Sequence, residues 1–374
     1  RNPAPDNGYK VYLGGTVAQG DGRGVQIVPP FDAEIAAAIE AAPPADEVPM
    51  NDDLIEAVDP REEYVACASA LASGEASARE DLRIVLTAMH GVGAAITSRV
   101  LAEAGFSNVS LVAAQADPDP DFPTVPFPNP EEAGALDMAI EQAREQGADL
   151  IIAVDPDADR CALAVPDPAS ETGWSPLSGD QIGSLLGEFL ASRGMKGSLA
   201  NSIVSSRLLS RIARAHGLEH HTTLTGFKWI ARAPGLGFGY EEAIGFCPDP
   251  AHVRDKDGIA TSVVAASLVA ALKAQGRSVW DELERLARLH GLHVSSPLTF
   301  RVEEIEQIAS GMARLRAQPP SVLAGSPVVE VSDLSQGYHG LPPTDGVLVL
   351  TEAGDRVIAR PSGTEPKLKC YLEV

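Results

Sequence analysis

Three aspartates at alternate positions are the residues of this chain best placed to do chemistry. Asp155, Asp157 and Asp159 form the segment D-P-D-A-D-R, directly after the apolar run L-I-I-A-V. Carboxylates this close repel one another and raise one another's pKa unless a cation lies between them. Mg²⁺ prefers oxygen ligands, which a substrate phosphate often completes. The spacing therefore favours a Mg²⁺ site at the end of a buried strand.

Other kinds of loop share part of this pattern. An EF-hand also opens D-x-D-x-D, but it needs glycine at its sixth position and glutamate at its twelfth. Those positions hold Arg160 and Pro166, which excludes an EF-hand. A solvated acidic turn remains an alternative, because short Asp/Pro loops are common in acidic proteins. The D-x-D core is also compatible with a phosphatase that uses an aspartate nucleophile.

A second segment, R-P-S-G-T-E-P-K near the C-terminal end, has the composition of a phosphate site. Arg360 can hold a phosphate with two parallel bonds, and the hydroxyls of Ser362 and Thr364 can donate to it. Gly363 allows backbone amides to point at an anion, and Lys367 adds positive charge. The alternative is a tight turn with a helix cap, which the same residues would also form.

Three further segments carry weaker signals. Glu241 and Glu242, in G-Y-E-E-A-I-G-F, could accept hydrogen bonds from sugar hydroxyls, although a solvated acidic turn is the simpler interpretation. Thr225 and Gly226, in T-G-F-K-W, could contact a ligand, or Thr225 could simply cap a helix. Lys256 lies between two aspartates in R-D-K-D-G, where a surface salt bridge is the default.

The elements that must position these residues alternate between strands and helices. This alternation predicts βαβ units and parallel sheets, with ligands at the carboxyl ends of the strands. One amphipathic helix is predicted to begin near Glu131 and to stop at Gly147. The last part changes to a small α+β pattern. Breaks near Ala78, Ser178 and Ser295 predict four domains: 1–77, 78–177, 178–294 and 295–374.

Composition limits the possible partners. The 374 residues are 44% hydrophobic and carry a formal net charge of −23. Such a surface repels nucleic acid and anionic membranes, so we expect neither as a partner. The sequence contains no run of eighteen apolar residues, so we expect no membrane span. The four cysteines are far apart in the sequence and predict reduced thiols in a cytoplasmic protein.

Taken in order, the segments resemble the α-D-phosphohexomutase family of phosphoglucomutases and phosphomannomutases. D-N-G-Y-K is similar to the end of the catalytic-serine loop, and D-P-D-A-D-R to the metal loop. T-G-F-K-W and G-Y-E-E-A-I-G-F resemble the third-domain and sugar-recognition loops, with R-D-K-D-G just after them. R-P-S-G-T-E-P-K resembles the phosphate-binding loop. The resemblance covers nearly the whole chain.

The resemblance implies an α/β fold of several domains: related three-layer α/β/α domains around a cleft, and a small C-terminal α+β domain. It implies an intramolecular phosphotransferase in which a phosphoserine and a sugar bisphosphate move a phosphoryl group between the 1- and 6- (or 5-) positions of a sugar phosphate. Mg²⁺ would balance charge on the transferring group. The expected partners are therefore a sugar phosphate and a sugar bisphosphate.

The resemblance also implies a role for each matched residue. Asp155, Asp157 and Asp159 would bind the metal, and Arg160 would face the phosphoserine. Lys256, helped by Lys10, would act as acid or base. Glu241 would read sugar hydroxyls, with Glu242, Thr225 and Gly226 as further substrate contacts. The phosphate that does not react would be held by Arg360, Ser362, Gly363, Thr364 and Lys367.

Two departures from the family pattern bear on activity and substrate. The match to the serine loop begins at Arg1, so we expect the nucleophilic serine just before it and expect these residues alone to be inactive. A non-catalytic sugar-phosphate-binding protein is the alternative. Ala243 stands where many members have serine, and E-E-A-I-G with D-K-D-G is more similar to the phosphopentomutase branch. Glucose, mannose and pentose phosphates all remain candidate substrates.

Overall fold

The structure is a computed structural model that describes residues 9–361 and 366–374. Ser362, Gly363 and Thr364 of the predicted phosphate segment lie outside the described residues, as does the start of the serine-loop match.

Helices and strands alternate along most of the described chain. The α-helices are α1 (Phe31–Ala41), α2 (Arg61–Ser69), α3 (Ala76–Asp81), α4 (Ala94–Glu103), α5 (Asp137–Gln146), α6 (Gly179–Ser192), α7 (Leu208–Ala215), α8 (Phe227–Ile230), α9 (Gly258–Ala274), α10 (Val279–His290) and α11 (Ile305–Ala317). The strands are β1 (Arg83–Thr87), β2 (Asn108–Leu111), β3 (Leu150–Val154), β4 (Cys161–Pro166), β5 (Trp174–Pro176), β6 (Ser198–Ser202), β7 (His220–Thr223), β8 (Leu236–Glu241), β9 (Gly245–Cys247), β10 (Ser295–Arg301), β11 (Val322–Leu323), β12 (Ser326–Asp333), β13 (Val347–Thr351), β14 (Arg356–Pro361) and β15 (Lys367–Glu373).

The chain divides into two compact units. Unit 1 comprises the described residues up to Leu177 together with Gly245–Gly276, and unit 2 comprises Ser178–Ile244 and Arg277–Val374. Both combine helices with strands, which confirms the predicted α/β class.

Unit 1 is built on a five-stranded sheet in the order β2-β1-β3-β4-β5. All five residues of β3 are buried, as expected for a strand covered on both faces. Helices α5 and α9 pack against this strand. Most residues of α9 are buried, in keeping with its small, apolar composition, and Asp257 caps its first turn. The aspartate segment follows β3 directly, at the carboxyl end where ligands bind in such sheets.

The strands of unit 2 belong to two sheets. β6 lies between β7 and β8, parallel to both, and α6, α7 and α8 pack against these strands. A separate antiparallel sheet has the order β10-β15-β14-β13-β12-β11, with α11 against its central strands. Apolar side chains of the segment after β6, Ile203 and Val204, pack with Leu348 of β13 and Ile358 of β14.

Two local predictions need correction. The sheet of unit 1 is mixed rather than parallel, because β3 and β4 pair antiparallel. Only Asp155–Arg160 separate these strands, too few residues for the crossover that parallel pairing requires. The helix predicted to begin near Glu131 begins instead at Asp137. Gly134 before it has φ of 82°, which a right-handed helix cannot accommodate. The predicted stop is confirmed, since Gly147 ends the helix in the left-handed conformation.

Within the part of the chain that the structure describes, no single helix combines the length and hydropathy of a membrane span. Helices α9 and α10 meet such a test only when they are taken together as a broken pair, and only by length and composition.

Candidate functional site

The three aspartates occupy the loop between β3 and β4, and their carboxylates converge. One oxygen from each of Asp155, Asp157 and Asp159 lies within 4.8 Å of the others. The backbone oxygen of Asp155 accepts from the Ala158 N–H at 2.8 Å, and its Oδ1 accepts from the Arg160 N–H at 2.9 Å. These bonds close the loop tightly. Three anionic oxygens within reach of one ion fit a hard divalent cation such as Mg²⁺.

The pKa of Asp155 is raised above its ordinary value, whereas the pKa of Asp159 is lowered. Burial, reinforced by the charges of Asp157 and Asp159, raises the pKa of Asp155 to about 6. Burial acts in the same sense on Asp159, but Lys256 and Lys10 outweigh it and hold the pKa of Asp159 below its ordinary value. The repulsion that the spacing implied is therefore present at Asp155. A divalent cation bound to the three carboxylates would relieve it.

Backbone contacts from two other segments hold this loop. In the turn after β1, the Val92 N–H donates to the Pro156 carbonyl at 2.9 Å. Gly91 in the same turn lies so close that a Cβ there would overlap the Pro156 backbone. At the start of α9, the Gly258 N–H donates to the Ala158 carbonyl at 3.1 Å. The position of the loop is thus set by main-chain atoms.

Replacing Gly91 with alanine is expected to displace the aspartate loop, because the added methyl group would overlap Pro156. Overpacking of this kind costs about 1–3 kcal/mol. A Mn²⁺ titration followed by electron paramagnetic resonance should show weaker metal binding, together with a lower thermal midpoint. Gly311→Ala is the control, since Gly311 lies in α11 with open space around it. Alanine there should stabilise by about 0.5–1 kcal/mol. Unchanged metal affinity in Gly91→Ala would show that the turn does not position the loop.

The predicted cationic residues lie beside the aspartates. Lys10 Nζ donates to Asp159 Oδ2 at 2.7 Å, and Lys256 Nζ lies 3.1 Å from the same oxygen. Only 10% of the Lys256 side chain is exposed, so it does not form the surface salt bridge that was the default interpretation. Arg160 Nε is more distant, 4.0 Å from Asp155 and 3.9 Å from Asp159. The structure therefore brings all three to one place.

Two tyrosine–aspartate pairs brace the segment R-D-K-D-G, and neither pair was predicted from the sequence. Tyr12 donates a hydrogen bond to Asp255, and Tyr64 donates to Asp257 Oδ1 at 2.7 Å. Asp257 Oδ1 also accepts from a backbone N–H in the first turn of α9 at 2.9 Å. Lys256 is thus held between two anchored residues. An aspartate directly before a helical pattern is a capping signal that could have identified Asp257, whereas no spacing indicates Tyr12.

In unit 2, β8 ends at Glu241 and the chain enters a strained turn, residues 241–244, which is called the sugar-recognition turn here after the family loop that its sequence resembles. Ile244 has φ of 52°, a left-handed conformation that β-branched residues rarely adopt. Gly179 at the start of α6 lies against this turn, where a Cβ would overlap the Glu242 carbonyl oxygen. Strain held in place by surrounding packing is frequent at ligand-binding turns.

The second glutamate of this turn is tied to the protein itself. Ser202 Oγ and Ser205 Oγ donate to Glu242 Oε2 at 3.0 and 3.2 Å. Burial, reinforced by the charges of Glu241 and Asp180, raises the pKa of Glu242 to about 7. The Glu242 carboxyl group therefore anchors the sugar-recognition turn to Ser202 and Ser205. Glu241, at the end of the strand, is partly buried.

Replacing Glu242 with glutamine should change stability in a pH-dependent way. The folded pKa lies above the usual value of about 4.5, so ionising Glu242 costs stability progressively from about pH 4.5 to about pH 7. Glutamine carries no charge, and its advantage should grow with pH to about 3 kcal/mol at most. Thermal midpoints measured from pH 5 to pH 8 test this, with exposed Glu306→Gln as control. A constant difference across this range would contradict the prediction.

Thr225 and Gly226 precede the short helix α8. Gly226 occupies the N-cap with φ of 102°, and it has no side chain with which to cap the helix. The interpretation of Thr225 as the cap is therefore wrong. Glycine suits this position because a positive φ is unfavourable for other residues.

Arg360 and Lys367 flank the connection between β14 and β15. These strands are antiparallel, with Arg360 opposite Lys369 and Pro361 opposite Leu368. Arg360 and Lys367 therefore lie at the same end of the strand pair, on either side of the segment outside the described residues. They belong to unit 2, as does Glu241.

Three family models match successive parts of the chain. They describe phosphoglucomutase/phosphomannomutase α/β/α domain II over residues 62–169, α/β/α domain III over residues 178–289 and the C-terminal domain over residues 300–374. Together they cover well over half of the chain.

Individual relatives agree with the family models. A "Probable phosphomannomutase" of Haemophilus influenzae is 44% identical, over all of this chain and 75% of that protein. A "Probable phosphoribomutase" of Schizosaccharomyces pombe is 32% identical, over 99% of this chain and 68% of that protein. The crystal structure of a "putative phosphomannomutase" from Thermus thermophilus shares the fold, with a TM-score of 0.68 and 24% identity over 93% of this chain and 68% of that one. The predicted α/β fold of several domains is confirmed. The chain belongs to the phosphoglucomutase/phosphomannomutase family, the α-D-phosphohexomutases, whose members are intramolecular phosphotransferases.

Proposed function

We propose that this protein interconverts the 1-phosphate and the 6- or 5-phosphate of a sugar, through a phosphoserine and a sugar bisphosphate. The observation that carries the proposal is the convergence of three carboxylate oxygens within 4.8 Å, with two lysine ammonium groups on one of the carboxylates. Phosphoryl transfer depends mainly on positioning and on positive charge around the phosphoryl group. The loop offers three carboxylates that could hold a cation, and the two lysines beside it supply positive charge.

Each group in unit 1 has a role in this proposal. Asp155, Asp157 and Asp159 would hold Mg²⁺, which when bound neutralises charge on the transferring phosphoryl group. Lys256, helped by Lys10, exchanges a proton with the reacting sugar hydroxyl at Nζ. The braced position of Lys256 supports this role, since a catalytic acid or base must reach one atom repeatedly.

The groups of unit 2 would recognise the substrate, and Arg160 of unit 1 would face the phosphoserine. Glu241 would accept from sugar hydroxyls, with Glu242, Thr225 and Gly226 as further substrate contacts. The phosphate distant from the reaction would be held by Arg360, Ser362, Gly363, Thr364 and Lys367. The strained turn at Ile244 supports a ligand-binding role for this part of the chain.

The proposed substrate is a hexose or pentose phosphate. The names of the relatives include a phosphomannomutase and a phosphoribomutase. Ala243 next to the recognition glutamates removes a hydroxyl that many family members carry. We also propose the four domains predicted above, 1–77, 78–177, 178–294 and 295–374, and a cytoplasmic location.

The test is a ³¹P nuclear magnetic resonance assay of the product of the complete reading frame. The 1-phosphates of mannose, glucose and ribose are each supplied with Mg²⁺ and a trace of the matching bisphosphate. Conversion to the 6- or 5-phosphate, stopped by a chelator, is the expected result. Release of inorganic phosphate would point to a phosphatase, and calorimetric binding without conversion to a non-catalytic sugar-phosphate-binding protein. Either of these outcomes would overturn the proposal.

A further inference from the structure

We propose that Arg356 is a positioning residue for substrate binding. It would act through the turn formed by residues 202–205, which follows β6 and is called here the serine turn. This turn would fix the sugar-recognition turn relative to the strands that carry Arg360 and Lys367. The inference rests on the proposed function, because it assumes that these two parts of unit 2 grip one ligand.

The first link joins Arg356 to the serine turn. Arg356 is the first residue of β14 and is 6% exposed. Its Nη1 donates to the Ile203 carbonyl at 2.8 Å, and its Nη2 donates to the Ser205 carbonyl at 2.6 Å. Nη2 also lies 3.1 Å from Glu373 Oε2 on the adjacent strand β15. A planar guanidinium can hold two carbonyls at once in this way, whereas a lysine ammonium lacks the fork geometry.

The second link joins the serine turn to the sugar-recognition turn. Ser202 and Ser205 are each 1% exposed, and both hydroxyls donate to Glu242 Oε2 at 3.0 and 3.2 Å. The apolar residues between them pack into the core with Leu348 and Ile358 of β13 and β14. The serine turn therefore presents carbonyls to Arg356 and hydroxyls to Glu242. Glu242 is next to Glu241, the proposed sugar ligand.

These links form one continuous frame between two proposed ligand contacts. Arg360 lies four residues beyond Arg356 on the same strand, and Glu241 adjoins the anchored Glu242. A ligand held at two points gains affinity over its separate parts only if the two points keep their relative position. The frame therefore predicts a selective effect. Loosening it should weaken binding of a sugar phosphate while leaving binding of phosphate alone nearly unchanged.

The experiment measures two dissociation constants by calorimetry on the 374-residue chain. One ligand is inorganic phosphate. The other is whichever of mannose 6-phosphate, glucose 6-phosphate and ribose 5-phosphate the unaltered chain binds most tightly. Arg356→Lys and the double variant Ser202→Ala, Ser205→Ala should each weaken sugar-phosphate binding about tenfold or more, with phosphate binding within about twofold. The serine variant leaves the buried Arg356–Glu373 pair intact, so it tests the frame even if Arg356→Lys folds poorly.

Two controls complete the design. Arg211→Lys makes the same change at an exposed position of α7 and should alter neither constant. Ser210→Ala removes a serine hydroxyl that donates to the Arg207 carbonyl at the start of α7, and should leave the ratio of the two dissociation constants unchanged. A purely structural role would lower the thermal midpoint without moving that ratio, and this result would overturn the inference while leaving the proposed function intact. Failure of the unaltered chain to bind any of the three sugar phosphates would overturn both.

Discussion

Replacing Asp157 with alanine should remove the divalent-cation site while leaving unit 1 folded. Asp157 is the exposed member of the aspartate cluster, so its side chain contributes little to packing. Its loss leaves two of the three convergent carboxylates. Loss even of groups that only support a ligand costs about 10–100-fold in metal affinity, so we expect a loss of about 100-fold or more here. A Mn²⁺ titration followed by electron paramagnetic resonance measures the change, and the proposed Mg²⁺-dependent mutase activity of the complete reading-frame product should disappear with it.

The control for this variant removes one exposed aspartate elsewhere in unit 1. Asp121→Ala makes the same change in net charge outside the cluster, and should leave metal affinity unchanged. Equal Mn²⁺ affinity in Asp157→Ala and in the unaltered protein would show that the ion binds elsewhere. A thermal midpoint close to that of the unaltered metal-free protein would confirm that the variant is folded.

Replacing Glu373 with glutamine should loosen unit 2. Glu373 is 2% exposed and accepts from the Arg207 N–H at 2.7 Å, from Arg207 Nε at 2.6 Å and from Ser206 Oγ at 2.8 Å. Breaking a buried ion pair from one side costs about 3–5 kcal/mol, because the partner charge is left uncompensated. The buried charge left uncompensated is that of Arg356, whose Nη2 lies 3.1 Å from Glu373 Oε2. Hydrogen exchange in peptides of β14 and β15 should accelerate by about 100-fold or more, at about 1.4 kcal/mol for each factor of ten.

The pH dependence of stability in acid provides an independent test of the role of Glu373. Burial opposes ionisation of Glu373, but His293, Arg356 and Arg207 outweigh it and lower the pKa to about 2. Its stabilising contribution is therefore complete above about pH 4.5 and is lost as the pH falls towards 2. Glu352→Gln, at an exposed turn of the same unit, is the control and should change stability by less than about 0.5 kcal/mol. Exchange rates in Glu373→Gln that match those of Glu352→Gln would refute the prediction.

The parts of the fold and site that could be predicted from the sequence are those that depend on residues close together in the chain. The apolar run before Asp155 and the alternation of the three aspartates identified both β3 and the cluster. Helices α6 and α10 follow serines that form capping boxes, a signal confined to four residues. Where a local signal was misread, the cause is also local: a turn glycine, Gly134, delays the start of α5.

The remainder depends on contacts between distant parts of the chain. Tyr12 and Asp255 are 243 residues apart, and Arg356 lies 151 residues from the serine turn carbonyl that it holds. Such residues carry no characteristic spacing, since their roles follow from the path of the whole chain. Gly91 shows the same limit, because the backbone atoms that leave no room for a side chain there include those of Pro156, which is distant in the sequence.

The aspartate loop is held by main-chain bonds from the turn after β1, from the start of α9 and from within the loop itself. A loop fixed in this way keeps the backbone positions of its three aspartates. Ion capture then requires no ordering of the chain, and entropy is lost on folding rather than on binding. Without an ion, repulsion between the three carboxylates accordingly lowers the free energy of unfolding. Binding of a divalent cation at this loop would therefore raise the free energy of unfolding, and the gain would grow with the cation concentration.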